Sequence, residues 1–406
     1  FDAYKQVTSR IKQLNATGQS TDKCELIIMG GTFLSMPESY QYEFMQGCLD
    51  GISGRKHANM EKTIHACEKS KNRVIGITME TRPDVATLND IKRMLSWGTT
   101  RVEMGVQSTH NEVLKTLNRQ HTIQTTIDST QRLKDSCLKV GYHMMSKLPR
   151  STLKKDMQSH LEIFTNPDFR PDMVKFYPVA VVENTALFNA WKKGEYEEMT
   201  QEEAVEFYSK LKPRIPEWVR VMRVQRDIPS QNISAGVKKT NLRQAVHEHM
   251  KKEGLVCRCI RCREVGFKHV NEGITPKKIE LMRREYDASK GKEIFLSAED
   301  VKQDILVGFV RLRIPHQPTL NELEDSAYIR ELHVYGQSIP IGEKMEKSGQ
   351  HKGWGKKLMN EAEEIARKEY GLNQMNVIAG IGVREYYQKL GYRQNGPFVR
   401  KKLTKS

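Results

Sequence analysis

Short apolar runs recur through the first 230 residues, and each closes on a polar or glycine turn. Residues 24–29 end at Gly30-Gly31-Thr32-Phe33, and residues 74–79 end at Glu80-Thr81-Arg82-Pro83-Asp84. Residues 101–106 end at Gln107-Ser108. Further runs cover 140–145, 173–177 (stopped by Pro178) and 218–224. Runs of this length between turn signals predict buried strands. Between them the spacing turns helical: Asp84 is placed to cap a helix reaching about Trp97, with Leu88, Ile91 and Leu95 on one stripe. Residues 110–117 and 122–138 repeat that pattern. Strand–helix alternation predicts a parallel sheet covered by helices, open or closed into a barrel. Ligands of such sheets sit at the carboxyl ends of the strands. Polar residues gather at those ends here: Gly30, Gly31 and Thr32, then Glu80 and Arg82, Gln107, Lys175 and Tyr177, and Arg226.

The pattern changes after residue 300. Residues 304–313 and 327–334 alternate apolar and polar positions, as half-buried strands do. Gln350-His351-Lys352-Gly353-Trp354-Gly355-Lys356 then opens into Leu358, Met359, Ala362, Ile365 and Ala366 at helical spacing. A glycine loop feeding a helix N-terminus exposes backbone N–H groups, a seat for a pyrophosphate. A strand over 375–378 and a helix over 383–390 follow.

Between these halves, Ser234-Ala235-Gly236-Val237 leads into a helix capped by Thr240 or Asn241 and ending near Gly254. Cys257-Arg258-Cys259-Ile260-Arg261-Cys262-Arg263 comes next. Three thiols this close suit one soft cation, zinc or iron–sulfur. A fourth ligand is open among His247, His249, His269 and water. The expected boundaries are 1–230, 231–300 and 301–406.

Composition adds direction. Sixty-six Lys and Arg against fifty Asp and Glu leave a formal charge of +16. That excess raises the expectation of a polyanionic partner and makes Lys238, Lys239, Arg258, Arg261 and Arg263 candidate phosphate contacts. A charged fraction of 29% with 38% apolar residues argues against wholesale disorder. No run of 18 apolar residues and no signal peptide is present, so no membrane partner is expected. The four cysteines outside the junction are scattered, which suits a reducing cytoplasm.

Gly30-Gly31-Thr32-Phe33, residues 77–84, Gly105-Val106-Gln107-Ser108 and residues 223–229 resemble the radical S-adenosylmethionine (SAM) domain of the Elongator catalytic-subunit family. Strand, glycine loop, helix, strand and helix in the last hundred residues resemble a GNAT acetyltransferase. Arg330-Glu331-Leu332-His333-Val334-Tyr335-Gly336 and residues 384–392 carry the closer resemblance to the Elongator subunit. The fold class implied is α/β: an incomplete radical-SAM (βα) partial barrel joined to a GNAT domain through a small metal-binding junction.

The resemblance implies SAM at Gly30, Gly31, Glu80, Arg82 and Gln107, and acetyl-CoA on residues 350–356. Tyr386 or Tyr387 would protonate the CoA thiolate, with His333 or Glu331 assisting. Such barrels also need three clustered cysteines for a [4Fe–4S] cluster, and they should precede Gly30. Only Cys24 does, inside a strand. The chain starts at Phe1, so trimming is expected, and the chain is expected to bind tRNA and acetyl-CoA without completing the radical step. The implied activity is formation of 5-carboxymethyluridine at the wobble uridine of tRNA, with acetyl-CoA hydrolysis. The family also leaves room for protein partners or a homodimer. A protein lysine acetyltransferase and a zinc-stabilised RNA-binding scaffold are the alternatives.

Overall fold

The computed structural model describes residues 2–30, 32–225, 228–335 and 353–403. Strands β1 (Lys23–Ile28), β2 (Arg73–Thr81), β3 (Arg101–Gln107), β4 (Lys139–Ser146), β5 (Met173–Pro178) and β6 (Arg220–Val224) lie side by side in chain order. Every neighbouring pair is parallel. Right-handed crossovers added in one direction keep the helices on one face and curl the sheet into a half-barrel. Val102, Met104, Val140, Tyr142, Met144, Val174 and Phe176 belong to the core on that face. The alternate residues Glu103, His143 and Lys175 therefore point to the inner face.

The helix expected from Asp84 starts later. Asp84 is held by Arg82, with Nε–Oδ1 at 2.9 Å, in a 3₁₀ turn over Pro83–Val85. Thr87 instead caps Leu88–Ser96 through a reciprocal capping box with Asp90. With its carboxylate already engaged, Asp84 has nothing left for the helix.

A second sheet runs in the order β12-β13-β11-β10-β9-β8-β7. Its strands are β7 (Glu280–Ala288), β8 (Gly291–Asp300), β9 (Ile305–Ile314), β10 (Ala327–Val334), β11 (Gln374–Val377), β12 (Arg393–Asn395) and β13 (Phe398–Lys402). Only β10 and β11 pair in parallel. The sheet begins at Glu280, ahead of the expected boundary at 301. Most residues of β7 are exposed or half-buried, and Arg283 and Arg284 are ion-paired to Glu369 and Glu299, so a charged edge strand reads as a basic linker. The helix Trp354–Lys368 buries Leu358, Met359, Ala362, Ile365 and Ala366 against this sheet, the stripe its periodicity predicts.

The sheets meet along a dry seam. A Cβ on Gly380 would fall on the Ile75 carbonyl of β2, and one on Gly382 would lie 2.8 Å from the Val74 nitrogen, so the two backbones touch directly. Beside this contact a buried ion cluster crosses the seam. Arg330 reaches Asp172 at 2.6 Å and Glu293 at 2.7 Å, and Arg313 reaches Asp135 at 2.6 Å and Glu293 at 2.9 Å. Arg311 holds Glu331 at 2.8 Å, and Lys134 lies 3.5 Å from both Asp172 and Glu293. Burial alone would raise the Asp172 pKa; Arg330 and Lys134 hold it well below the usual carboxylate range. Among the described residues, no helix is long and apolar enough to cross a membrane.

Candidate functional site

Strands β10 and β11 pair only from Ala327↔Met375 to Ile329↔Val377. Among the described residues β10 continues to Val334 on β9 alone, without a strand partner on its other edge there. Gly353, at φ 95, turns the chain into the helix Trp354–Lys368, and glycine is the residue that adopts this backbone easily. The helix N-terminus presents unpaired N–H groups with a favourable dipole. Tyr386 packs on the first turn: a Cβ on Gly355 would sit 2.6 Å from its Oη and 3.7 Å from a Val334 methyl. Tyr386 and Val334 therefore meet at Gly355, in the first helical turn beside Gly353, Trp354 and Lys356. Gln350, His351, Lys352 and the loop before them lie outside the described residues.

The structure separates the two tyrosines. Tyr386 is 41% exposed, and partial burial raises its pKa above the ordinary phenol. Tyr387 is 6% exposed and packs edge-on against Tyr392 with ring centres 6.0 Å apart. Tyr387 is therefore a core residue. At Glu331 burial would raise the pKa, but Arg311 keeps it lowered, so its carboxylate is an ionised partner of the seam. His333 stands at the exposed end of β10, its ring 4.3 Å from Tyr335; surrounding protein lowers its pKa, leaving a neutral imidazole at pH 7.

In the half-barrel, Gly30 has φ 90 and open space where a side chain would stand. Gly31 and Arg226 lie outside the described residues. Glu80 faces His143 Nδ1 at 3.4 Å, and His143 Nε2 meets Glu103 at 2.9 Å. Lys175 pairs with the same Glu103. Glu103 is buried, which would raise its pKa, yet His143 and Lys175 bring it down to about 2. Arg82 is committed to Asp84. Gln107 sits nearby at φ 70. Sequence reasoning missed Glu103 and His143. Each is the charged or ionisable residue in the apolar middle of its strand, a signal that becomes specific only when three strands align them.

All seven cysteines are described. Cys24, Cys48 and Cys67 do not cluster, and the metal-ligating groups found among the described residues gather only at Cys257, Cys259 and Cys262. The half-barrel residues present do not fit a cysteine-held [4Fe–4S] cluster. The junction does fit a metal. Its three sulfurs lie within 4.8 Å of one another, and tetrahedral zinc needs a spacing of ~3.8 Å. His247 Nε2 is 3.8 Å from Cys262 Sγ, but the group of ligand atoms within 4.8 Å of one another comprises the three cysteines without it, and His269 is exposed. Burial lowers the His247 pKa to about 4. Hydrogen bonds from Cys257 and Cys262 hold Cys259 as the thiolate, and buried Lys212 stands 3.7 Å from Cys262 Sγ. Bound zinc would supply a structural clamp there, joining the helix Leu242–Lys252 to the cysteine turn, which hangs from β6 through Ile260 N–H to the Val219 carbonyl at 2.9 Å.

The expected phosphate contacts divide. Lys238 and Lys239 are exposed. Arg258 is spanned by Glu217 and by Asp304 at 2.9 Å. Arg261 is 40% exposed at its side chain. Arg263 is fully buried against Glu299 at 2.9 Å and cannot touch a phosphate.

A curled parallel half-barrel carrying a GNAT-type sheet defines a two-domain radical-SAM-like acyltransferase class. Comparison agrees: the radical SAM superfamily pattern matches residues 8–159, its C-terminal domain matches 171–252, and the acetyltransferase (GNAT) family matches 266–392. A tRNA uridine(34) acetyltransferase of Methanocaldococcus infernus is 49% identical over 99% of this chain and 76% of its own length. Elongator complex protein 3 of Homo sapiens is 43% identical over 99% of this chain and 74% of its own. The solved archaeal M. infernus Elp3 with an N-terminal deletion (1–46) superposes with a TM-score of 0.95 at 48% identity, covering 99% of this chain and 95% of that one. The chain belongs to the Elongator complex protein 3 family of tRNA uridine(34) acetyltransferases.

Proposed function

We propose that this chain is an acetyl-CoA-dependent enzyme acting on the wobble uridine of tRNA, and that its GNAT half cleaves the thioester. The observation that carries this reading is the Tyr386 hydroxyl held against Gly355, in the first turn of the glycine-started helix and beside Val334 at the end of β10. The pyrophosphate of acetyl-CoA would rest on the N–H groups at Gly353–Gly355, and the pantetheine amides would pair with the free edge of β10. Water adds to the thioester carbonyl, with His333 placed to take its proton. The C–S bond breaks, Tyr386 donates its proton to the leaving thiolate, and acetate is released. SAM would lie over Gly30, with Glu80 and His143 below it. No step is routed through an iron–sulfur cluster, because the half-barrel residues present do not fit one.

The test is acetyl-CoA hydrolysis with tRNA, with a basic peptide, and with neither. Stimulation by tRNA alone is expected, and Tyr386→Phe should lower the rate about 100-fold while Tyr387→Phe leaves it within a few-fold. Acetyl transfer to the peptide would replace this reading with a lysine acetyltransferase. Hydrolysis under no condition would leave an RNA-binding scaffold.

A further inference from the structure

Two adjoining cavities, of about 1250 Å³ and about 760 Å³, open where the half-barrel meets the second sheet. Glu61, Ile64, Arg384 and Gly396 line both, so the two form one groove. One wall is the helix Met60–Glu68 and the residues that follow it. The other is the short helix Arg384–Gln388 with the turn at Gly396 and Pro397. No residue placed above at the thioester or SAM positions lines it.

The groove has two unlike ends. At one, Lys62, Lys69 and Lys71 are exposed, and among the described residues their side chains hold no ion pair or hydrogen bond. Arg55 adds a fourth cation there, its Nε donating to His57 Nε2 at 3.2 Å rather than to an acid. At the other end the lining turns apolar, with Tyr42, Met60, Ile64, Leu95, Leu320 and Pro397. Tyr42 is 43% exposed, and its hydroxyl accepts from the Met60 N–H at 3.0 Å, which fixes the ring at the groove's edge.

Arg384 joins the walls. Its Nη1 reaches Glu68 Oε1 at 2.7 Å across the seam. Its Nε is buried without a hydrogen-bond partner among the described residues, in a residue only 7% exposed. A buried N–H without an acceptor is costly and gains from one that a ligand brings. The acids of the lining are Glu61, Glu68 and Glu322, and Glu68 is already spent on Arg384. The backbone contacts at Gly380 and Gly382 hold the two walls together, so the groove is formed before anything enters it and ordering costs little.

The lining selects the kind of occupant. Three unpaired lysines call for negative charge, and an aliphatic end calls for apolar side chains. Tyr42 is the one aromatic ring in the lining, too few to stack successive bases of a nucleic acid. An extended peptide meets both demands, with carboxylates at the lysine end, apolar side chains at the Tyr42 end and a carbonyl for Arg384.

We propose that this groove docks an extended segment of a protein partner, acidic along one half and apolar along the other. The docking is independent of the chemistry assigned to either active site.

The test uses the whole chain and a short fluorescein-labelled peptide whose first half is Asp and Glu and whose second half is Leu and Phe. Affinity is followed by anisotropy across a salt series, beside a matched peptide with Lys in place of each acid. The acidic peptide should bind and weaken as salt rises; the lysine peptide should not bind. The Lys62→Glu/Lys69→Glu/Lys71→Glu triple variant, changed only at exposed positions, should bind the acidic peptide at least about tenfold more weakly with its unfolding midpoint kept. Tyr42→Ser should weaken binding severalfold and leave the salt dependence as it was. No binding of the acidic peptide, equal binding of the lysine peptide, or unchanged affinity in both variants would overturn the proposal. A short RNA that displaces the peptide and loses its own affinity in the triple variant would assign the groove to nucleic acid, and overturn it too.

Discussion

At the seam, Arg311, Arg313, Arg330 and Lys134 meet Asp135, Asp172, Glu293 and Glu331, four charges of each sign, all buried or nearly so. At the end of β6, Arg220, Arg243 and Arg261 line a cavity, and Glu264 pairs with Arg220 and Arg261 from behind. The residue type is the same and the consequence is opposite. A buried cation whose charge is matched by fixed carboxylates is spent on holding elements together, and removing one partner leaves an expensive orphan. A half-exposed cation that shares one acid with a neighbour, as Arg261 shares Glu264 with Arg220, keeps part of its donor fork open. Full burial with matched carboxylates marks the structural arginines of this basic protein. Arg258, exposed and held by two acids, stands between the two cases.

The contrast can be broken most forcefully at Asp172, which accepts from Arg330 and also from the Val140 N–H at 2.8 Å. Asp172→Ala should cost about 3–5 kcal/mol in denaturant unfolding. The RNA salt slope of the surviving folded protein should not move. A loss below 1 kcal/mol would mean the seam is not what binds the sheets.

The cysteine junction joins the two regions, because Arg261 lies between Cys259 and Cys262, and Arg243 lies one helical turn before His247. Cys259→Ser, or stripping zinc with a chelator, should lower the unfolding midpoint and weaken RNA binding together. RNA affinity that survives a large stability loss would detach the cavity from the clamp.

A smaller effect is expected from pH. His160 is stacked on Phe176 and packed in the core, and desolvation lowers its pKa from 6.5 to about 4; His121 is lowered similarly. Both imidazoles bind protons more readily in the unfolded chain. Their contribution is therefore complete above pH 6.5 and is lost as pH falls from 6.5 through 4. Unfolding followed across that window should show the decline, and His160→Gln should flatten part of it.

Much of this architecture is legible in the residues. The six runs of the half-barrel and the stripe Leu358, Met359, Ala362, Ile365, Ala366 are periodic, and periodicity is local information. The cysteine motif is local too. What escaped is set by distant parts of the chain. Glu103, His143 and Lys175 become one cluster only when β3, β4 and β5 align. Arg263 reads as a surface cation until Glu299, on β8, is found beside it. The edge strand β7 reads as linker because its apolar residues face only one layer. Tyr386 and Tyr387 are indistinguishable in sequence, and packing against Tyr392 buries one while the other stays exposed.

Arg261 and Arg263 stand two residues apart and give the most direct test of the account. Arg261→Gln and Arg263→Gln would each be measured for unfolding midpoint and for RNA affinity across a salt series. Arg261→Gln should keep its midpoint and lose RNA affinity with a shallower salt slope. Arg263→Gln should lose stability and keep the slope. The reverse pattern, or equal effects from both, would contradict the claim that burial divides this protein's arginines into those that hold the fold and those open to a partner.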